Sequence, residues 1–157
     1  MGHEYLENLS LLASSKQRVI FYDQLGCGKS DCPNDPKRWQ IPRFVCEVEM
    51  VRNALNLDRV IILGQSWGGM LTIEYLLKHP QGVIGAILSN SLSSAILMGS
   101  EIMRLKNALP KSVLEVLQAH EAAGTMDSSE YKQATAVFYS QHIFRMDPLP
   151  KEILEAL

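Results

Sequence analysis

Gly64-Gln65-Ser66-Trp67-Gly68-Gly69 leaves this chain few architectures to choose from. The segment follows an apolar, β-branched run over 59–63 and precedes a helix-forming stretch over 70–78. Gly-x-Ser-x-Gly between a strand and a helix has the form of a nucleophile elbow. A turn this sharp strains the serine backbone and brings strand and helix too close for large side chains, which is the physical task of Gly64 and Gly68. Ser66 then stands clear of the sheet at the N-terminus of the next helix. There the positive end of the helix and the free N–H of Trp67 can stabilise an oxyanion on an attacked carbonyl. Ser66 is therefore the candidate nucleophile, Trp67 the candidate oxyanion donor, and Gly64 and Gly68 the elbow glycines. The competing reading is a plain glycine-rich turn in which Ser66 only caps the helix. The well-marked strand and helix on either side favour the elbow.

The rest of the chain supports an α/β architecture. With 157 residues, 46% of them hydrophobic, it can build one sizeable core, since a domain of about 150 residues buries roughly 68–70% of its unfolded surface. The net charge of -2 and the scattered Lys, Arg, Asp and Glu offer no footprint for nucleic acid and no polybasic stretch for a membrane. No apolar run is long enough to span a bilayer, and the N-terminus has neither a signal-peptide pattern nor a myristoylation signal. Cys27, Cys32 and Cys46 are odd in number and lack metal-site spacing. This points to reduced thiols and a cytoplasmic setting.

Apolar spacing predicts an amphipathic helix over 4–15, a strand over 17–23, and a long loop from Asp23 to Ile41. Pro42 suits the first turn of a helix whose face is Phe44, Val48, Val51 and Leu55. Strands over 59–63 and 83–89 flank an elbow helix over 67–78 that ends at His79-Pro80. This alternation is the grammar of a parallel sheet covered by helices, placed at 1–90. After Asn90 only helical segments follow, with breaks near Pro110, 124–127 and 148–150, so residues 91–157 read as an all-helical appendage. Asp127-Ser128-Ser129-Glu130 resembles a capping box for a helix bearing Tyr131, Ala134, Phe138 and His142. Met98, Met103, Met126 and Trp39 could line an apolar pocket, with plain packing the more ordinary role.

Leu25-Gly26-Cys27-Gly28-Lys29-Ser30 suggests a rival class, a phosphate-binding loop. The Walker pattern needs a glycine separated by four residues from the Gly-Lys-Ser, where this chain has Asp23, and a carboxylate there repels phosphate. A structural glycine turn is the better reading. The histidines are poorly placed as a base for Ser66. His3 lies near the start, His79 closes the elbow helix at its far end, and His120 and His142 fall within helical periodicity in the appendage.

Four stretches carry a resemblance to the proline iminopeptidase (prolyl aminopeptidase) group of α/β-hydrolase serine peptidases. They are 2–9, Phe21-Tyr22-Asp23-Gln24 through Ser30, the elbow 64–69, and the segment opening at Ser91 with its later parts around Glu130-Tyr131 and 138–142. The resemblance implies an α/β-hydrolase core with a partial parallel sheet and nucleophile elbow over 1–90, followed by the start of an all-helical cap over 91–157. It implies an acyl-enzyme on Ser66 that releases an N-terminal residue, with proline expected, from short peptides or amino-acid amides. No metal or organic cofactor is implied. The family's other oxyanion donor lies in a His-Gly-Gly-Pro-Gly loop ahead of this segment, and its catalytic Asp and His lie beyond Leu157. Only Ser66 and Trp67 transfer. The chain is thus expected to be an internal segment of a longer hydrolase, with a catalytically incomplete fragment, or an esterase or amino-acid amidase, as the alternatives.

Overall fold

Pro42 lies in the first turn of helix α1, Ile41–Ala54, whose Phe44 and Val45 turn inward. Strand β1, Val60–Gln65, then runs into helix α2, Trp67–Lys78, and strand β2, Val83–Ser89, follows. β1 and β2 pair in parallel with Ile62 opposite Ala86 and Gln65 opposite Ser89, and the intervening helix supplies the crossover that parallel strands require. The structure, a computed structural model, describes residues 2–156. It separates into two units, one ending at Ser93 and the other spanning Ser94–Glu155.

The core of the first unit is Phe44 and Val45 of α1 against Leu71 and Tyr75 of α2, with Leu25, Val48, Ile62 and Val83 packed around them. Burying a side chain such as Leu71 contributes about 1.5–3 kcal/mol. Tyr75 is fully buried, and its hydroxyl donates to Glu49 and accepts from Arg52. The phenol is thus satisfied, as a buried polar group must be. Arg52 also donates to the carbonyls of Leu57 and Gln81, at 3.2 and 3.3 Å, tying the ends of α1 and α2 together. Ile61, Ile84, Ile87 and Leu88 of the strands remain exposed.

Several local expectations change. Residues 18–24 belong to no strand, and Gln17 makes only an isolated bridge with Ser14. A strand exists only as part of a ladder, and the described residues offer this apolar run no partner. The sheet therefore has two strands instead of three. The opening helix is a 3-10 helix, Glu4–Leu12, without a buried residue. Packing of an apolar face is what stabilises most helices, and here that packing is missing. Leu55 falls outside α1, whose inward face is Phe44, Val45 and Val48.

The second unit comprises helices α3 (Ala95–Asn107), α4 (Lys111–Ala123), α5 (Ser129–His142) and α6 (Lys151–Ala156). Leu109, Leu117 and Ala134 form its core, with Tyr131 and Phe138 packed against them. The cap of α5 is Ser128, whose Oγ accepts from Tyr131 N–H at 3.1 Å. The capping pattern is therefore one residue later than Asp127, and a tyrosine occupies the position where a capping box has its acid. Met98, Met103 and Met126 are exposed and do not take the packing role expected of them.

Candidate active site

At the junction of β1 and α2, Ser66 has φ 52° and ψ −117°. This is a region that side chains other than glycine adopt only under strain. A capping serine holds extended backbone and gives its oxygen to an N–H of the first turn. Ser66 does neither: its side chain makes no capping bond, and the residue is exposed. The backbone around it is well held. Its N–H donates to the Ser89 carbonyl at 3.0 Å, and its carbonyl accepts from Gly69 and Met70 N–H at 3.0 and 3.4 Å. The Trp67 N–H precedes the first helical hydrogen bond and is an orphan donor by position, with no turn or loop carbonyl among the described residues taking it up.

The two elbow glycines are unequal. A Cβ on Gly64 would lie 2.2 Å from the Gly68 carbonyl oxygen, a backbone atom that cannot step aside, whereas a Cβ on Gly68 would meet nothing within 4 Å. Close approach thus requires Gly64 and, on the next residue along, Gly69, whose Cβ would lie 2.3 Å from Ser91. Composition marks Gly69 only as half of a glycine pair, and Ser91, where one of the stretches of resemblance opens, carries no local signal of its contact with the elbow.

Three long-range contacts surround the turn. Tyr5 Oη donates to Gln65 Oε1 at 2.8 Å, Trp67 Nε1 donates to Gln24 Oε1 at 3.0 Å, and the Phe44 ring meets Trp67 edge-on with centroids 6.0 Å apart. Trp39 stacks on Phe44 at 6.3 Å. The 3-10 helix is in this way brought to the residue before Ser66, and the long loop and α1 to the residue after it.

The glycine turn over 23–30 is filled by its own anion. Asp23 Oδ2 accepts from Lys29 N–H at 3.0 Å, Oδ1 accepts from the backbone N–H of His3 at 2.9 Å, and His3 Nδ1 lies 2.9 Å from the same oxygen. A Cβ on Gly28, at φ 49°, would lie 2.2 Å from Asp23 Oδ2. The Lys29 N–H bond, then the bond to His3, holds the Asp23 carboxyl below its usual range, and the same Asp23 bond raises the His3 imidazole above its usual value. Glu4 lies close enough that His3, Glu4 and Asp23 could together ligate a cation. Both Asp23 oxygens are, however, already committed to hydrogen bonds, Oδ2 to Lys29 N–H inside the turn and Oδ1 to His3.

No histidine is hydrogen-bonded to Ser66 among the described residues. His79 stacks on Tyr75 at the far end of α2. His120 Nδ1 lies 2.7 Å from Thr125 Oγ1 and 3.2 Å from Ser128 Oγ, within the turn that starts α5. His142 packs on Phe138.

A family model described as alpha/beta hydrolase fold matches residues 1–152. The proline iminopeptidase of Lactobacillus delbrueckii subsp. bulgaricus is 43% identical over 158 residues, which is 98% of this chain and 54% of that protein. Among solved structures, the crystal structure of proline iminopeptidase from Mycobacterium smegmatis superposes with a TM-score of 0.88 at 39% identity, covering 99% of this chain and 53% of that one. The crystal structure of VinJ gives a TM-score of 0.92 at 34% identity, with 98% and 53% coverage. The chain spans about half the length of the curated relatives it matches. No helix among the described residues is long and apolar enough to cross a membrane.

Proposed function

Since the chain belongs to the α/β-hydrolase fold family, we propose that it acts as a serine hydrolase with Ser66 as its nucleophile. The observation that carries this reading is the strained, exposed, non-capping Ser66 at the β1–α2 junction. In the proposed reaction Ser66 Oγ attacks the carbonyl carbon of the scissile bond and its proton passes to a base. The oxyanion so formed is received by the Trp67 N–H at the positive end of α2. Collapse expels the protonated amine and leaves an acyl-enzyme, which water hydrolyses by the same route.

The substrate class we assign is a short peptide or amino-acid amide from which the N-terminal residue, proline first, is released. Its support is the similarity to proline iminopeptidases along 98% of this chain. Residues 1–90 are assigned to the hydrolase core and 91–157 to a helical cap, on the same resemblance. The contacts of the histidines described above supply no base to Ser66, so the catalytic base and acid are sought in residues other than these.

Two assays test the proposal. A fluorophosphonate should phosphonylate the chain once, as Ser66 Oγ displaces fluoride from phosphorus, and Ser66→Ala should abolish the mass increase. Hydrolysis of a prolyl arylamide, beside the matching ester, then reads the substrate class. Labelling that persists in Ser66→Ala sinks the nucleophile assignment, while ester turnover without amide turnover replaces the peptidase by an esterase.

A further inference from the structure

At the C-terminal ends of the paired strands, two residues with positive φ stand side by side in the register. Ser66 follows β1 with φ 52°, and Asn90 follows β2 with φ 47°, one step past the pairing of Gln65 with Ser89. Asparagine is among the few side-chain-bearing residues that accept this region readily, and the Ser89 hydroxyl donates to its Oδ1 at 3.0 Å. The kink at Asn90 returns the chain toward the elbow, where Ser91 Oγ donates to the Ser66 carbonyl at 3.0 Å. Gly69 makes room for it, because a Cβ there would sit 2.3 Å from both Ser91 Cβ and Oγ. The Ser66 peptide is therefore gripped on both sides by β2 and its exit: the N–H by the Ser89 carbonyl, the carbonyl by the Ser91 hydroxyl.

We propose that Ser91 is a positioning residue for the nucleophile, held against the Ser66 carbonyl by the left-handed kink at Asn90 and by the absence of a side chain on Gly69. It touches neither substrate nor reacting atoms. Its contribution is to favour the strained Ser66 conformation over a relaxed turn, which would carry Oγ and the Trp67 N–H out of their reacting positions. The catalytic part of this inference rests on the nucleophile reading above.

The test uses the full chain and three variants. Saturation of fluorophosphonate labelling separates inhibitor binding from the phosphonylation rate constant. Amide hydrogen exchange at Gly69 and Met70, whose N–H groups share the Ser66 carbonyl with Ser91, reads the turn without needing reactivity. In Ser91→Ala the rate constant should fall about tenfold, the kinetic equivalent of one hydrogen bond, with binding unchanged, and exchange at both amides should rise by a similar factor. The amide of Val60, bonded to the Gly82 carbonyl at the other end of β1, should not change and so reports any general unfolding. Asn90→Val should reproduce the defect, because a β-branched residue resists positive φ, whereas Asn90→Gly should match the parent. If Ser91→Ala does not fold, the Asn90 pair carries the same test.

Unchanged exchange at Gly69 and Met70 in both Ser91→Ala and Asn90→Val overturns the proposal. Raised exchange with an unchanged rate constant overturns its catalytic part. If the parent chain is not labelled but exchange rises in the variants, the positioning of the turn stands and the nucleophile reading falls.

Discussion

The turns at 23–30 and 64–69 are both glycine-rich, both follow an apolar run, and both present backbone N–H groups. They differ in what occupies them. In the first, the Asp23 carboxylate reaches across Gly28 to the Lys29 N–H and binds His3, so the donors are consumed from within. In the second, the side chain at the corresponding bend is the short, neutral Ser66, which leaves its own hydroxyl exposed and takes up no helix donor. Resemblance to a ligand-binding loop therefore means little until the internal acceptors are counted. A turn filled by its own anion is a structural clasp, and one left open can receive a charge that develops during a reaction.

Substitutions at the two turns can break or sharpen this contrast. Gly64→Ala should have the largest effect, because its Cβ lands 2.2 Å from a backbone oxygen. Chemical denaturation should show a loss of about 3 kcal/mol, together with loss of labelling at Ser66. Gly28→Ala should cost about 2 kcal/mol, since it combines positive φ with a contact to the pinned Asp23 side chain. Its folded fraction should still label at Ser66 at the parent rate, and a labelling defect there would show that the two turns are coupled.

Asp23→Asn should cost about 1–2 kcal/mol by removing the charge-assisted acceptor of the first turn, and it carries a pH signature. The raised pKa of His3 contributes stability that is fully present below its unfolded value of 6.5 and is lost as pH rises through the folded value. The lowered pKa of Asp23 contributes stability present above 3.8 and lost as pH falls through its folded value. The clasp should therefore be firmest between these limits. The parent chain should lose stability between pH 5.5 and pH 8.5 relative to Asp23→Asn, and parallel pH profiles would remove the clasp from the account. Gly68→Ala should have the smallest effect and the opposite sign. With open space for its Cβ in the first turn of α2, alanine should stabilise by up to about 1 kcal/mol, read as a higher melting temperature with labelling retained.

Much of this was written locally. The β-branched runs of β1 and β2, the helix-forming stretch after Gly69, and the breaks at Pro110 and Gly124 each act over a few residues, so their elements could be read off within one or two positions. Asp23 was also legible as the residue that spoils a phosphate loop. The partial misreadings share one cause. Residues 17–23 have strand composition but no neighbour to pair with, and residues 4–12 have helical spacing but no surface to bury it against. Gly68 stands in the motif, yet the atoms that crowd the turn are aimed at Gly64 and Gly69.

By itself, the sequence determined the local conformations available to this chain: a strand that must turn at Gly64, a serine at the bend, a helix beyond it, and a glycine turn carrying an acid. Propensity and side-chain periodicity operate between near neighbours, which is why a linear reading reaches them. Only the tertiary structure decided which distant groups meet, bringing His3 to Asp23, Gln24 to Trp67, Tyr5 to Gln65 and Ser91 to the carbonyl of Ser66. Hydrogen bonds are satisfied within about 3 Å whatever the separation along the chain, so the partners that make one turn a clasp and leave the other open exist only once the strands have paired and the helices have packed.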